Sequence, residues 1–354
     1  MNAQFTRHEL IFKQASGTSR GVLTTKETYL LEISKNGQKG IGECAIFRGL
    51  SYDDVPDYEE KLTWLCKNIN LDFEVLKKEL LHYPSIIFGL EQALLNLEHG
   101  EDLYFPSDFT DGKDSIKING LIWMGNADFM QSQIEEKLAK GFDCIKLKIG
   151  VDWKSEKEII KKLREKFPKE QLELRVDANG AFSYEEASMV LQELADLGIH
   201  SIEQPIKKSE VRSPKSEENS EKKSTDCCIP WNKMARLCAE TPTPIALDEE
   251  LIGIIDFEEK KKLLETIKPQ YIILKPALVG GFSGSDEWIA IAESLGINWW
   301  ITSALESNIG LNAICQYTYT KKNPLPQGLG TGALFTNNFE THLQLEGDQM
   351  WHKK

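Results

Sequence analysis

Charged side chains recur at regular intervals in the second half of this 354-residue chain, each at the end of a short apolar segment. They are Lys148, Asp177, Glu203, Asp248 and Lys275, and the series continues with Ser303. Successive members lie 23 to 29 residues apart once a polar insertion at residues 207–228 is left out. Charges that follow apolar segments at one interval indicate a site to which every repeat contributes a side chain.

Three members of the series are carboxylates on consecutive segments, so Asp177, Glu203 and Asp248 can meet. Clustered carboxylates repel one another, and burying them without compensation is costly. A divalent cation removes this cost, and an all-oxygen ligand set favours Mg²⁺ or Mn²⁺ over zinc. The structural alternative is a buried network of ion pairs in which lysines neutralise the three carboxylates.

Lysines near the same segment ends are candidate bases. Lys146 and Lys148 stand two residues apart, so on a strand they share one face. Two neighbouring ammonium groups lower each other's pKa, which would leave one lysine neutral near pH 7 and able to abstract a proton. Arg175 and Asn179 share the face of Asp177 in the same way, which predicts a polar pocket around the lysines.

The elements that must position these residues are short apolar strands that alternate with amphipathic helices. The predicted strands are Ser115–Trp123, Cys144–Ile149, Leu172–Ala178, Ile199–Gln204, Pro244–Glu249, Tyr271–Pro276, Asn298–Ala304 and a weaker one at Gln327–Phe335. Eight such units predict an α/β fold with a (β/α)8-type barrel, irregular at its ends. A doubly wound open sheet is disfavoured because no G-x-G-x-x-G follows the first strand. In a barrel, Lys148 and Lys275 would face each other across the mouth, where the carboxyl ends of the strands converge.

Residues 1–110 have a different pattern, in which strands come first and helices follow. Strands are predicted at Phe5–Lys13 and Thr28–Lys35, a turn at Gly37, Gly40 and Gly42, and helices at Asp54–Asn68 and Ser85–Glu98. This order predicts an α+β capping domain at 1–110, joined by the C-terminal tail 336–354, with the barrel at 111–335.

One segment, residues 207–228, interrupts the barrel pattern. It contains five serines, six Lys or Arg, five Asp or Glu and no aromatic residue. Such a segment cannot bury enough apolar area to offset its ordering entropy. We therefore expect a flexible surface insertion after the fourth strand, with partner docking as the alternative.

The overall composition limits the partners and the compartment. A formal net charge of −13 disfavours nucleic acid and anionic membranes as partners, and an anionic small substrate would need a local cation. No run of 18 apolar residues occurs, and Arg7 and Glu9 argue against a signal peptide. Seven scattered cysteines without a C-x-x-C pair argue against a disulfide framework or a structural zinc site. These features predict a cytoplasmic protein and leave its oligomeric state open.

The pair Lys146 and Lys148, the three carboxylates and the opposing Lys275 resemble the active site of the enolase superfamily, in particular its muconate-lactonizing subgroup. Five motifs resemble the o-succinylbenzoate synthase family within it, namely Gly17–Gly21, Arg175–Asn179, Leu247–Leu251, Gly280–Ser283 and Ser303–Asn308. The resemblance covers nearly the whole chain, and the N-terminal unit matches the family's capping domain. The insertion at 207–228 departs from the family's pattern.

The resemblance implies a Mg²⁺-dependent dehydratase of menaquinone biosynthesis. It would convert 2-succinyl-6-hydroxy-2,4-cyclohexadiene-1-carboxylate to o-succinylbenzoate by syn β-elimination. Asp177, Glu203 and Asp248 would be the metal ligands. Lys148 would remove the proton next to the substrate carboxylate, and Lys275 would stabilise the resulting anion as an ammonium.

The resemblance also implies residues that contact the dicarboxylate substrate. They are Lys146, Arg175, Asn179, Arg20, Ser303 and Gly330. Backbone amides of the glycine-rich segment 328–332 can hold the succinyl carboxylate. Arg20, in a loop of the first domain, can close over the substrate.

Two other functions stay open. Opposed lysines also suit two-base racemisation, as in the N-acylamino acid racemases and dipeptide epimerases of the superfamily. Such epimerases generally carry acidic residues after strand eight, and residues 327–335 contain none, which disfavours a dipeptide but not an N-acylamino acid. The second alternative is a non-catalytic protein that docks a partner through the insertion. Deleting residues 207–228 would abolish docking, whereas an enzyme would keep near-normal turnover.

Overall fold

The computed structural model describes residues 1–18, 21–123, 125–208 and 231–353. The first part of the chain is an antiparallel sheet in the order β1-β2-β3, followed by helices. The strands are β1 (Asn2–Thr18), β2 (Gly21–Lys35) and β3 (Gln38–Cys44), and the helices are α1 (Tyr58–Asn68), α2 (Phe73–Glu79) and α3 (Pro84–His99). The first two strands are longer than predicted because they pair with each other across a shift in register between Ile11 and Ser16.

Close packing of β3 against α3 corrects one prediction. Gly37 lies in a turn at φ +83°, as expected, but Gly40 and Gly42 lie within β3 and not in the turn. A Cβ at Gly42 would lie 2.0 Å from the carbonyl oxygen of Gly89 on α3. The two glycines are therefore needed because the strand and the helix approach too closely for any larger side chain.

The second part of the chain alternates strands and helices as predicted. The strands of its parallel sheet are β5 (Gly120–Ile122), β6 (Cys144–Lys148), β7 (Glu173–Asp177), β8 (Ser201–Glu203), β9 (Ile245–Leu247), β10 (Tyr271–Leu274) and β11 (Asn298–Ile301). The helices are α4 (Ala127–Ala139), α5 (Trp153–Lys166), α6 (Tyr184–Asp196), α7 (Asn232–Glu240), α8 (Phe257–Ile267), α9 (Pro276–Val279), α10 (Gly281–Ser294) and α11 (Asn308–Thr320). Each strand pairs with the next one along the chain, which is the order of a barrel.

The weaker eighth strand predicted at Gln327–Phe335 is shorter than its predicted bounds, because only its first two residues join the sheet. Gln327 forms a parallel bridge with Ile118, and Gly328 forms one with Thr302. The amide of Gly328 donates to the carbonyl of Ile301 at 2.8 Å, and the amide of Asn119 donates to the carbonyl of Gln327 at 2.9 Å. This closing segment, Gln327–Gly328, connects both edges of the curled sheet, and the glycine-rich chain then turns away.

The first predicted barrel strand, Ser115–Trp123, is also divided. Its beginning is the short strand β4 (Ile116–Lys117), which pairs with the C-terminal tail instead of the barrel. The tail forms a hairpin of β12 (Leu343–Glu346) and β13 (Gln349–His352), so the order of this small sheet is β12-β13-β4. Earlier in the tail, the side chain of Asn337 accepts from the amide of Ile11 and donates to the carbonyl of Glu9, both on β1.

Two glutamates from the first part of the chain bind the first turns of barrel helices. Glu43, at 0% exposure, accepts from the amides of Ser307 at 3.0 Å and Gly310 at 2.9 Å, at the start of α11. Glu91 on α3 accepts from the amides of Phe282 at 2.5 Å and Ser283 at 3.2 Å, at the start of α10. A carboxylate is favourable there because the first amides of a helix have no partner within the helix.

The helices that the structure describes include none with both the length and the apolar character that a membrane span requires.

Candidate active site

The predicted strand-end residues lie at one level of the barrel. Lys148, Asp177 and Glu203 are the last residues of β6, β7 and β8, and they are direct partners in the strand register. Asp248 directly follows β9, and Lys275 directly follows β10. The spacing of the charges in the sequence therefore corresponds to one βα unit of the barrel, so that each strand end contributes one charged residue.

Lysine ammonium groups join the carboxylates. Lys146 Nζ lies 2.8 Å from Glu203 Oε2 and 3.3 Å from Asp177 Oδ2. Lys148 Nζ lies 3.1 Å from the same oxygen of Asp177 and donates to Asn179 Oδ1 at 2.6 Å. Both lysines thus converge on Asp177, as the pattern of alternating side chains predicts.

Lys275 reaches the carboxylates from the other side. Its Nζ forms an ion pair with Asp248 and lies 3.7 Å from Glu203 Oε1. The three carboxylates are only 1 to 2% exposed. They are therefore part of a buried charge network whose members depend on one another for compensation.

The network shifts the pKa values of its members in opposite directions. Burial raises the pKa of Asp177, but the charges of Lys148 and Lys146 outweigh it and hold that pKa well below its usual range. Burial together with the charge of Asp177 raises the pKa of Glu203 to about 7. The same site thus contains one strongly ionised carboxyl group, that of Asp177, and one, that of Glu203, which holds its proton more tightly than an ordinary glutamate.

The lowering of the pKa that was expected for the pair Lys146 and Lys148 is not found for Lys146, and the pKa of Lys275 is raised as well. Burial lowers the pKa of Lys146, but the carboxylates of Glu203 and Asp177 outweigh it and raise the pKa. For Lys275 the charges of Asp248 and Glu203 likewise overcome burial and raise the pKa. Opposite charges in direct contact act more strongly than the second ammonium group.

A cavity opens above the network and contains about 820 Å³ of space, adjoining solvent included. Its charged side is formed by Lys146, Lys148, Asp177, Asn179, Glu249 and Lys275. Its apolar side is formed by Phe47, Leu50, Leu121, Trp123, Ala304 and Leu305. The cavity therefore suits a ligand with an anionic group at one end and an apolar body.

Small polar groups complete the cavity lining between β11 and β5, on the side of the closing segment Gln327–Gly328. Ser303, Gly330, Thr331 and Asn119 line it, and the Ser303 hydroxyl lies 2.5 Å from that of Thr331. The nearest atom to a Cβ at Gly330 would be the Ile118 side chain at 3.4 Å, so the glycine leaves room on the ligand side. Ser303 and Gly330 thus lie at the cavity, as their predicted role in substrate contact requires.

Arg175 is the predicted contact that the structure places elsewhere. It shares the inward face of β7 with Asp177 but lies deeper in the barrel and does not line the cavity. Its guanidinium donates to Glu173 at 2.7 Å and to the carbonyl of Pro326 at 2.9 Å, and it lies 4.1 Å from the Trp300 ring centroid. Arg175 therefore holds the barrel interior together. Arg20, the other predicted arginine, lies outside the described residues.

The insertion predicted at residues 207–228 lies outside the described residues from 209 onward. Its first residues are held against the barrel. The Lys208 ammonium donates to the carbonyl of Ile252, and a Cβ at Gly180 would lie 2.9 Å from the Cα of Lys207.

Sequence reasoning missed Glu249 and the cap residues that face the site. Glu249 follows Asp248, is 6% exposed, and accepts from Asn179 Nδ2 at 3.1 Å. It lies in a one-turn 3₁₀ segment, Glu249–Leu251, which turns its side chain back toward the barrel mouth. The run of three acids at 248–250 was a signal for it. Phe47 and Leu50, in the loop after β3, carry no such signal.

Strained backbone positions cluster at the same strand ends. Asn179, Gln204 and Leu305 have φ values of +45°, +41° and +63°. Each is a position where a non-glycine residue adopts the left-handed region, which costs on the order of 1 kcal/mol. Gln204 is held there by its side chain, which accepts from the amides of Asp248 at 3.3 Å and Glu250 at 3.2 Å.

The donor set fits a hard divalent cation. Three buried carboxylates stand on consecutive strands, and Oε1 of Glu203 is buried without a hydrogen-bond partner among the described residues. Oxygen ligands of this kind are those that Mg²⁺ prefers. Asp177, Glu203 and Asp248 are therefore the residues that would hold such an ion.

The barrel, with its charged mouth beneath a cap, defines an enzyme whose active site lies at the carboxyl ends of parallel strands. The family model described as enolase C-terminal domain-like matches residues 130–216 and 226–349. The chain belongs to the enolase superfamily and, within it, to the o-succinylbenzoate synthase family.

Two curated relatives are similar to this chain in sequence. The o-succinylbenzoate synthase of Desulfotalea psychrophila is 42% identical, with 98% of each chain covered. The N-succinylamino acid racemase of Thermus thermophilus is 33% identical, over 85% of this chain and 78% of the relative.

Two solved structures have the same fold. A crystal structure of MenC from Desulfotalea psychrophila superimposes with a TM-score of 0.83 at 39% identity, over 99% of both chains. The o-succinylbenzoate synthase from Thermosynechococcus elongatus, solved with Mg in its active site, has a TM-score of 0.70 at 22% identity, over 93% of this chain and 92% of that one.

Proposed function

We propose that this chain is a Mg²⁺-dependent o-succinylbenzoate synthase, which dehydrates 2-succinyl-6-hydroxy-2,4-cyclohexadiene-1-carboxylate in menaquinone biosynthesis. The observation that carries the proposal is the 42% identity over 98% of both chains to the Desulfotalea enzyme. The cavity supports it independently, because a charged end beside an apolar wall suits a carboxylate on a six-membered carbon ring.

Asp177, Glu203 and Asp248 would hold Mg²⁺, which when bound supplies positive charge for the carboxylate of the substrate. Mn²⁺ meets the same ligand preferences and could replace it. Lys146, wedged between Asp177 and Glu203 at 3.3 and 2.8 Å, positions these two carboxylates. Its positive charge also faces the cavity and favours an anionic ligand.

Lys148 is the proposed base. Its Nζ lies in the cavity and is held by Asp177 at 3.1 Å and Asn179 at 2.6 Å, which fixes its direction. It would take the proton from the carbon that bears the carboxylate. The electron pair of that C–H bond would form the new ring double bond while the neighbouring C–OH bond breaks. The same ammonium would return the proton to the departing hydroxide, so one water leaves and the ring becomes aromatic.

Lys275 would stabilise the anion from the opposite side. Its ammonium lines the cavity and is kept protonated by Asp248 and Glu203, whose charges raise its pKa. The Lys275 ammonium, as a permanent cation, would attract the negative charge that develops on the ring. Because it is already protonated, it would not accept a proton itself. Phe47 and Leu50 from the cap would cover the ring and exclude water.

The second carboxylate of the substrate needs donors away from the lysines. The Ser303 and Thr331 hydroxyls and the chain around Gly330 line the cavity between β11 and β5. We propose that these groups bind the succinyl carboxylate through neutral donors. Arg20, which lies outside the described residues, is proposed to close over the substrate.

We propose the domain division and the compartment on different grounds. Residues 1–110, with the tail 336–354, would act as the cap of a barrel at 111–335, since Phe47 and Leu50 reach the cavity from the first part. The described cysteines, Cys44, Cys66, Cys144, Cys238 and Cys315, are free thiols, which suits the reducing cytoplasm.

Racemisation of an N-acylamino acid is the second candidate. It is favoured by the 33% identity to the Thermus racemase and by the presence of both Lys148 and Lys275 in one cavity. Racemisation requires each lysine to act as a base in one direction, whereas the elimination requires a base only on the side of Lys148.

The experiment compares both reactions with Mg²⁺-loaded protein. We expect the cyclohexadiene precursor to be converted to the aromatic product, and Lys148→Ala to lower turnover at least about a thousandfold while Mg²⁺ binding persists. Lys154→Ala, an exposed lysine on α5, is the matched control and should keep full turnover. Lys275→Ala should lower turnover less than Lys148→Ala. Racemisation of an N-succinylamino acid without any dehydration would overturn the proposal.

A further inference from the structure

A carboxylate from the loop after α3 and two imidazoles from the C-terminal tail meet in the fold. Asp102 Oδ2 lies 2.7 Å from His342 Nδ1 and 3.0 Å from His352 Nε2. The three ligand atoms all lie within 4.8 Å of one another. None of the three residues lines the active-site cavity. The mechanism proposed above therefore leaves this cluster without a role.

The hairpin of the C-terminal tail places the two histidines side by side. Leu343 pairs with His352 in the β12–β13 register, so His342 stands next to His352 at the open end of the hairpin. Asp102 comes from the loop after α3, about 240 residues earlier in the chain. Elements that are remote in sequence thus supply one ligand set.

Asp102 is held in place through its main chain. The backbone carbonyl of Asp102 accepts from Asn312 Nδ2 at 2.9 Å and from Gln316 Nε2 at 2.8 Å, both on α11. Its second oxygen, Oδ1, is buried and has no hydrogen-bond partner among the described residues. Asp102 is thus anchored by its main chain, and Oδ2, the oxygen that contacts both histidines, is the atom placed to bind an ion.

We propose that Asp102, His342 and His352 form a second metal site, for a borderline divalent cation of the Zn²⁺ class. Two imidazoles and one carboxylate are a ligand set that zinc accepts, with a fourth position left for water. The hard carboxylates at the barrel mouth form a different kind of site, which suits Mg²⁺. The cysteine pattern could not reveal this site, because its ligands are histidines and an aspartate.

The two separations between Asp102 and the histidines require only a small adjustment. Zinc with ligands at about 2.0 to 2.1 Å holds tetrahedral neighbours about 3.3 Å apart. The two observed separations of 2.7 and 3.0 Å would widen by about half an ångström. His342 is 45% exposed and can make this movement, and it also gives the ion a path to solvent. His352 is 0% exposed and stays fixed.

The ion would add a further link between segments that are remote in the sequence. It would connect the C-terminal hairpin to the loop after α3, beside the helix α11 that holds Asp102. The hairpin also pairs with β4 through Met350 and Ile116, just before the first barrel strand. The expected effect of the metal is therefore greater stability of the folded chain.

The test uses the full chain, stripped of metal by a chelator and returned to saturating Mg²⁺, with Zn²⁺ alone as the probe. Competition with a chromophoric zinc indicator gives the stoichiometry and the affinity. We expect one zinc ion per chain, and His342→Gln should weaken its binding at least about a hundredfold. His99→Gln, at an exposed histidine at the end of α3, is the matched control and should bind as the wild type does.

A second readout separates metal binding from damage to the fold. Zinc should raise the melting temperature of the wild type and of His99→Gln, but not that of His342→Gln. Co²⁺ in place of zinc should give visible absorption bands that are lost in Asp102→Asn. Equal zinc affinity of His342→Gln and the wild type, or no binding by the wild type up to about 100 µM, would overturn the proposal.

Discussion

Replacing Glu43 by alanine should destabilise the protein strongly, although Glu43 lies outside the active-site cavity. Its carboxylate is fully buried and accepts four hydrogen bonds. Two come from the amides of Ser307 and Gly310, and two from the hydroxyls of Thr28 at 2.8 Å and Ser307 at 2.5 Å. The side chain thus satisfies the start of α11 from a strand of the first sheet.

The magnitude follows from the groups that would lose their partner. Loss of a helix N-terminal acceptor costs about 0.5–2 kcal/mol, and each buried donor left unpaired costs about 1–3 kcal/mol. Water entering the space would satisfy some of the donors, and removal of the charge relieves its repulsion of Glu306. Lys26 loses a neighbouring counter-charge at the same time. We expect a net loss of about 3–4 kcal/mol in the free energy of unfolding.

Urea-induced unfolding, followed by circular dichroism, measures this loss. Glu9→Ala, at an exposed glutamate on β1, is the control for removing an acidic side chain from the same sheet. Glu43→Gln keeps the size and one acceptor oxygen, so its loss should be about half as large. If Glu43→Ala unfolds within about 0.5 kcal/mol of Glu9→Ala, the link between Glu43 and α11 does not stabilise the protein as reasoned here.

Two further predictions concern α3. Burial raises the pKa of Glu91 to about 7 from an ordinary 4.5, so the folded protein holds this proton where the unfolded chain has released it. The stability of the wild type relative to Glu91→Gln should therefore fall by about 3 kcal/mol as the pH rises from 4.5 to 7, and parallel unfolding curves of the two proteins across this range would refute it. Gly42→Ala should cost more than about 3 kcal/mol, because its Cβ would meet the backbone of α3 at 2.0 Å. Gly120→Ala is the control, because the nearest contact of its Cβ would be the flexible Lys137 side chain at 3.1 Å, and it should cost about 1 kcal/mol in the same denaturation assay. Equal losses of stability in the two variants would show that close packing at Gly42 is not the cause of the destabilisation.

The sequence was sufficient to predict the level at which the charges meet, because a barrel adds one strand end per βα unit. Lys148, Asp177 and Glu203 are partners in register for this reason. Alternation along a strand predicts the face of a side chain but not its depth. Arg175 shares the face of Asp177 and yet lies one layer deeper, against Trp300.

Other features depend on contacts between distant segments and leave no local pattern. The approach of α3 to β3 explains Gly40 and Gly42, which in the sequence alone resemble turn residues. The positions of Phe47 and Leu50 at the cavity depend on how the first part of the chain lies over the barrel mouth. The eighth strand was predicted too long because its apolar residues continue after its pairing has ended.

The closing segment, Gln327–Gly328, has a consequence for the order in which the protein becomes functional during synthesis. It pairs with Ile118, more than 200 residues earlier, and the residues just after it form one wall of the cavity. A growing chain that has not yet exposed this segment has an open sheet and a cavity without that wall. Lys148, the three carboxylates and Lys275 all precede this segment in the chain, so the catalytic groups are synthesised before the segment that completes the cavity around them.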